Sequence, residues 1–294
     1  MPESSGGPLR GIVWMLVAVS AFAFMDASMK WLAPFYPPME VTALRGLASL
    51  PLVLGWALLQ GGVHPLLQIR WPLHLLRGVL SVAMLAGFVF ALKFLPIAEA
   101  YSLFFIAPLL ITALAVPMLG EPSSWQRWVA VALGFAGMLV ILRPGHAGVM
   151  STAGVVMMLA AVCYALSAVL VRVIGRTDST QSMVVWMLAM VSVFALALAI
   201  PHWIPLRSDH YATLLVLGLS GAIGQYGITE AFRRAPASLI APFEYTALLW
   251  GIALDWFVWK TAPDRWMLAG AAIIVAAGLY VLRHERAHVE AEHP

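Results

Sequence analysis

The chain has 294 residues, 62% of them hydrophobic and 11% charged, with a formal net charge of +3. Soluble domains carry about a quarter charged residues, so this composition excludes a soluble globule and predicts an all-α polytopic membrane protein. The lone cysteine, Cys163, excludes an intramolecular disulfide and a thiolate metal cluster, and loop cations account for the charge without a nucleic acid partner.

Taken in order, apolar stretches of spanning length are predicted over Gly11–Leu32, Met39–Leu59, Leu73–Phe94, Ile97–Met118 and Gln126–Leu142. They continue over Ser151–Arg172, Gln181–Ile200, Tyr211–Phe232, Pro236–Trp259 and Trp266–Leu282, ten in all. Each approaches the roughly 20 apolar residues that carry a helix across a hydrocarbon core about 30 Å thick. The first is full length and lacks a small-residue cleavage site, so it reads as a span and not as a cleaved leader. In the fourth, Pro108 removes a backbone donor near the middle and predicts a kink there. The connections are short and rich in Pro, Gly, His and Trp, so no extramembrane domain is expected.

Two stretches repeat each other about 140 residues apart. Ala91 matches Ala231, Pro96 matches Pro236, Ala107 matches Ala247, and Leu142 with Arg143 matches Leu282 with Arg283. Around them the pattern also recurs: long apolar helix, turn with a proline (Pro122, Pro263), tryptophan (Trp125, Trp266), second apolar helix. The chain therefore divides into residues 1–146 and 147–294, five helices each. With the N-terminus inside, the inner loops and helix ends hold Arg10, Arg70, Arg77, Arg127, Arg172, Arg176, Arg233, Arg234, Arg283 and Arg286. The outer ones hold Lys30, Lys93, Arg143, Arg207, Lys260 and Arg265, a bias that places both termini in the cytoplasm. Five is odd, so the second half enters from the opposite face and the two form an inverted repeat, an architecture suited to a site near the midplane.

Polar residues inside such spans need a partner, a cavity or a role. Glu244 lies eight residues past Pro236, near mid-depth, with Ala237, Ala241, Ala247 and Gly251 on its helical face and Pro242 and Tyr245 beside it. It reads as a proton carrier or a counter-ion for a cationic substrate, or else as a protonated bridge between helices. Asp26 and Lys30, four apart, read first as a local ion pair. Arg45 has no local acid beyond Glu40, and by depth it is expected to meet Asp26 or Glu99 on the outer half, in an outer gate or an anion-facing wall. Glu99 alternatively serves the N-terminus of its own helix. Tyr101, Phe105 and Pro108 recur at helical spacing, and Tyr164, Gln225, Tyr226 and Tyr245 supply further polar or aromatic groups at depth. Arg77 reads as snorkelling to the interface, Glu230 as pairing with Arg233 and Arg234, and Asp255 as part of an aromatic belt with Trp256 and Trp259.

The stretch ALKFLPIAEAYSLFFIAPLLITALAVPMLGE, followed by WQRWVAVALGFAGMLVILRPG, resembles the EamA-type carriers of the drug/metabolite transporter superfamily. It is most similar to members assigned to S-adenosylmethionine or riboflavin uptake. The resemblance covers nearly the whole chain and implies ten helices in two inverted repeats around a central cavity. It implies a secondary transporter of a small organic metabolite in a bacterial-type inner membrane: S-adenosylmethionine first, riboflavin second, with export of amino acids or drug-like compounds as the alternative. On this reading Glu244, Tyr245, Tyr101, Gln225, Tyr226, Tyr164 and Phe105 bind substrate. Asp26, Lys30, Arg45 and Glu99 gate or couple, with proton coupling expected. A monomer or homodimer is expected, with no cofactor, no metal and no enzymatic activity, since the histidines fall in loops and helix ends. A non-transporting structural subunit is the rival from another class. Thr261 departs from the family pattern, standing where a Glu often follows the ninth helix as Glu121 follows the fourth.

Overall fold

The computed structural model describes residues 7–62, 64–67, 69–120, 125–142 and 152–261, together with 265, 266, 268–270, 272, 273, 276 and 277. Among them there is no strand. In chain order the helices are α1 (Gly7–Leu32), α2 (Pro38–Gly61), α3 (His64–Leu67), α4 (Trp71–Leu92), α5 (Ile97–Phe104), α6 (Ile106–Leu119), α7 (Trp125–Leu142), α8 (Thr152–Ile174), α9 (Thr180–Ala199), α10 (Tyr211–Arg234), α11 (Ala237–Ile240) and α12 (Ala247–Phe257). Six helical stretches are by themselves long and apolar enough to cross a membrane: Leu9–Leu32, Pro38–Leu59, Trp71–Leu92, Thr152–Ile174, Thr180–His202 and Ser208–Arg234. The turn at Glu121 and the repeat positions Arg143, Pro263, Leu282 and Arg283 lie outside the described residues.

Two of the expected spans are broken. The fourth divides between α5 and α6 at Phe105 (φ −69, ψ 4), three residues before the proline expected to kink it. The displacement follows from proline chemistry, because Pro108 offers no N–H to the Phe104 carbonyl four residues back. The ninth divides more completely: α11 gives way to a 3₁₀ turn over Ala241–Thr246, which contains Pro242, before α12 begins. Glu244 therefore sits in the tightened turn and not on an α-helix: at about three residues per turn Ala247 stays on its side and lines the cavity with it, whereas the seven-residue spacing to Ala237 and Gly251 no longer holds. Local signals fix other ends. The Ser179 hydroxyl accepts the Ser182 N–H to cap α9, and Gly120 (φ 66) takes the left-handed conformation that closes α6.

Helix α1 packs on α10, α2 on α9, α4 on α8 and α5 on α12. Close approach is the means, since lipid supplies no hydrophobic push between helices and small residues let backbones meet. A Cβ at Gly46 would lie 2.6 Å from Ser192 Oγ and 2.9 Å from its backbone N, and one at Gly218 would lie 2.8 Å from the Ala48 carbonyl oxygen. Gly46→Ala is expected to lower stability by about 1–3 kcal/mol through overpacking of the α2–α9 seam. A melting temperature in detergent equal to that of the native protein would count against so tight a seam. Val13, Val79, Leu159, Val193 and Leu215 point outward in mid-helix, as a lipid-facing surface requires.

Polar networks tie both ends. At the near end, where α1 begins, His74 Nε2 meets Asp178 Oδ2 at 2.9 Å, and the Arg70 N–H reaches the same oxygen at 3.3 Å. Burial opposes the charge on Asp178, yet hydrogen bonds from Thr177, His74 and the Arg70 N–H hold its carboxyl below the usual aspartate range. Glu230 accepts from Thr180, Arg233 and Arg234, the pairing expected for that cluster. At the far end the Tyr36 hydroxyl lies 2.9 Å from His210 Nδ1, and Glu40 accepts the Ile204 N–H at 3.0 Å.

Candidate functional site

A cavity with about 950 Å³ of unfilled space, its open mouth included, runs through the middle of the bundle. Helices of both halves line it: α1 and α2 with Asp26 and Arg45, α4 with Arg77, Ser81 and Phe88, α5 with Tyr101 and Phe104. From the second half come Tyr164 and Ser167 on α8, Gln225 on α10 and Glu244 in the 3₁₀ turn.

The two helix breaks meet inside. Tyr245, just past Glu244, donates from its hydroxyl to the Phe105 carbonyl at 3.3 Å, and their rings sit 5.0 Å apart, edge to face. That carbonyl belongs to the break residue itself, so the opening of one discontinuous helix is closed by the side chain of the other. A Cβ at Gly134 would strike the Tyr245 ring at 2.3 Å, so α7 must present glycine for this ring to fit. Phe88, Phe104 and Tyr164 continue the aromatic wall, with centroids 5.4 Å and 5.3 Å apart in succession.

Three polar groups mark the cavity. Toward the far end, the Tyr101 hydroxyl donates to Asp26 Oδ2 at 2.7 Å. Arg45, in electrostatic reach of Asp26, donates Nε to Met25 Sδ at 3.0 Å and Nη2 to Gln225 Oε1 at 3.3 Å. In the middle, Tyr164 and Glu244 line the cavity within interaction range of each other. On α4, Arg77 donates Nη1 to the Met183 carbonyl at 3.0 Å. Arg45 and Arg77 are each 2% exposed, and burying a guanidinium is costly unless it is paired or serves a ligand.

Of the residues read from the sequence as substrate-binding, Glu244, Tyr101, Gln225, Tyr164 and Phe105 line this cavity, whereas Tyr245 stands behind it as the brace between the breaks. Tyr226 is elsewhere, with Trp14 and Trp56 around its ring at 5.0 Å and 4.6 Å. Of the gating set, Asp26 and Arg45 line the cavity. The local Asp26–Lys30 pair expected from their spacing does not form. Asp26 turns to Tyr101, and Lys30 reaches across to Asp255 Oδ1 at 3.1 Å, over the Trp259 ring at 4.5 Å. Contact across helices wins because α5 and α12 bring better-placed partners than the same helix can. Asp255 is thus a tie and not merely a belt residue, accepting also the Ile97 and Ala98 N–H groups at 3.4 Å and 2.9 Å. It occupies the helix N-terminus that Glu99 was expected to serve, and Glu99 is half-buried outside the cavity lining. The sequence reading missed Arg77. Its place near the inner end of the third span resembled snorkelling, but its guanidinium is buried and lines the cavity.

Comparison with known proteins gives this geometry its setting. Both halves of the chain, residues 9–143 and 152–283, match the profile of the EamA-like transporter family. The chain belongs to the EamA-like transporter family. It is therefore a multi-pass membrane protein and a transporter, not an enzyme, as the sequence resemblance implied. It is 28% identical over 285 residues to the S-adenosylmethionine uptake transporter of Rickettsia prowazekii, covering 97% of this chain and 96% of that one. It is 29% identical to the riboflavin transporter of Vibrio cholerae, over 95% and 94% of the two chains, and 25% identical to the pseudopaline exporter of Pseudomonas aeruginosa, over 94% and 97%. A solved structure 22% identical in sequence superposes with a TM-score of 0.76, covering 97% of this chain and all of the other, which establishes the fold.

Proposed function

We propose that this EamA-like protein is a secondary carrier that moves a small organic metabolite by alternating access, with S-adenosylmethionine as the first candidate and riboflavin as the second. The observation that carries the reading is the cavity itself. It is lined from both halves, and buried charged groups converge on it with aromatic rings between them. Buried charge is retained in a membrane where it binds or moves something.

The packing pattern supports ten helices in two inverted repeats, residues 1–146 and 147–294. An inversion that exchanges first with sixth, third with eighth and fourth with ninth spans exchanges the α1–α10 contact with the α8–α4 contact, and leaves α2–α9 and α5–α12 on the axis. The paired breaks at Phe105 and Tyr245 lie on the same axis and supply the points about which the halves rock. The lysine-arginine bias supports cytoplasmic termini. Both proposed cargoes carry a planar ring suited to the aromatic wall, and the cation of S-adenosylmethionine suits Glu244 and the tyrosines. Glu244 carries charge or proton coupling; Asp26, Arg45 and Gln225 form the polar network above it.

The test is counterflow of labelled S-adenosylmethionine into proteoliposomes preloaded with the unlabelled compound. Transient accumulation above equilibrium is expected, because a carrier exchanges and a channel does not. Absence of it with S-adenosylmethionine, riboflavin and amino acids alike would remove the carrier reading in favour of a structural subunit.

A further inference from the structure

Buried polar side-chain atoms almost always have a hydrogen-bond partner. Among the described residues, six do not, and four of those belong to residues that line the central cavity: Arg45 Nη1, Arg77 Nε, Ser81 Oγ and Glu244 Oε1. The unmet groups are thus concentrated where a ligand would sit, and they differ in sign. Arg45 is offset by Asp26 beside it. Arg77 forms no ion pair with a carboxylate among the described residues; its one bond goes to the neutral Met183 carbonyl.

Arg77 and Ser81 stand four residues apart on α4 and so share a face one turn apart. Serines inside helices commonly donate back to the carbonyl four residues earlier, and in this chain Ser20, Ser28, Ser192 and Ser220 all do so, at 2.6 to 2.9 Å. Ser81 does not, although the carbonyl in question is that of Arg77. One face of α4 therefore presents an unmet N–H and an unmet O–H donor with a positive charge, while Glu244 presents an acceptor from the other half.

We infer that Arg77 and Ser81 form a carboxylate subsite, and that the cargo is amphoteric, its carboxylate on α4 and its cationic group at Glu244. This rests on the carrier reading and narrows it. One uncompensated guanidinium matches one carboxylate, and a phosphate of charge near −2 would be left half-balanced. S-Adenosylmethionine, with an α-carboxylate, an ammonium and a sulfonium, fits this arrangement, whereas riboflavin has no carboxylate for Arg77.

The experiment compares S-adenosylmethionine with decarboxylated S-adenosylmethionine, which keeps the adenosine, sulfonium and amine, as competitors of labelled S-adenosylmethionine for the purified full-length protein and in counterflow. The native protein is expected to prefer the carboxylate-bearing compound by about tenfold or more, the loss anticipated for a charge-assisted hydrogen bond. In Arg77→Gln that preference collapses to within about twofold, Arg77→Lys restores part of it, and Ser81→Ala weakens the parent compound alone by about threefold. Elution profile and melting temperature establish folding, and Ser81→Ala decides if Arg77→Gln does not fold. Counterflow that persists with no preference in the native protein, or with the same preference in Arg77→Gln, overturns the subsite and leaves the carrier. Movement of riboflavin but not S-adenosylmethionine does the same, and movement of no probe removes both.

Discussion

Glu244→Gln is expected to abolish most counterflow, by roughly ten- to a hundredfold, while leaving the protein folded. The range follows from a hydrogen bond to a charged group being worth about 1.5–3 kcal/mol, with each 1.4 kcal/mol equal to a factor of ten. Glutamine keeps the shape and an acceptor within range of Tyr164, so the packing of the 3₁₀ turn against α8 is preserved. What it removes is the negative charge and the exchangeable proton, the two properties the carrier reading assigns to this side chain. The unpartnered Oε1 is the atom at stake, since its complement must come from cargo. If Glu244 were a protonated bridge between helices, glutamine would serve nearly as well and flux would be near native. An imposed pH gradient separates the two duties: a proton carrier makes native transport respond to the gradient and the variant indifferent, whereas a counter-ion makes both indifferent.

Asp255→Ala is expected to cost about 3–5 kcal/mol of stability, the usual consequence of removing one partner of a buried ion pair. Asp255 holds three elements at the far end at once: Lys30 of α1, the first N–H groups of α5, and α12 on which it sits. Its loss strands the Lys30 ammonium, 14% exposed, and leaves orphan donors at the start of α5. In detergent this corresponds to a fall in melting temperature on the order of ten degrees. Asp255→Asn keeps an acceptor for one N–H but not the charge and should fall between. Lys30→Gln removes the cation, leaves the helix cap, and should cost less than Asp255→Ala. Equal losses for Lys30→Gln and Asp255→Ala would show that the α5 cap contributes nothing.

The membrane class, the run of apolar helices and the repeated pattern could all be read from composition and hydropathy, because each depends on properties that residues carry wherever they sit. So could the choice of Glu244 as a candidate, since a carboxylate inside a predicted span is anomalous whichever helix surrounds it. Local rules failed where a competing contact lay across the bundle. Asp26 and Lys30 satisfy the four-residue spacing of an ion pair, but Tyr101 and Asp255, 75 and 225 residues from their partners, provide better geometry. Helical periodicity likewise misplaced Ala237 and Gly251 relative to Glu244, because the 3₁₀ turn keeps three-residue neighbours such as Ala247 aligned and not seven-residue ones. Tyr226 is aromatic and at depth, yet Trp14 and Trp56 claim it.

The sequence by itself determined that the chain is a bundle of apolar helices with few, costly charges, since hydropathy and charge count are additive along the chain. Which of those charges face one another, that the helix breaks at Phe105 and Tyr245 meet, and that Arg77 lines a cavity instead of reaching for the interface were decided by tertiary structure alone. These depend on rotation and register between helices distant in sequence, and a single helix has no means of recording either.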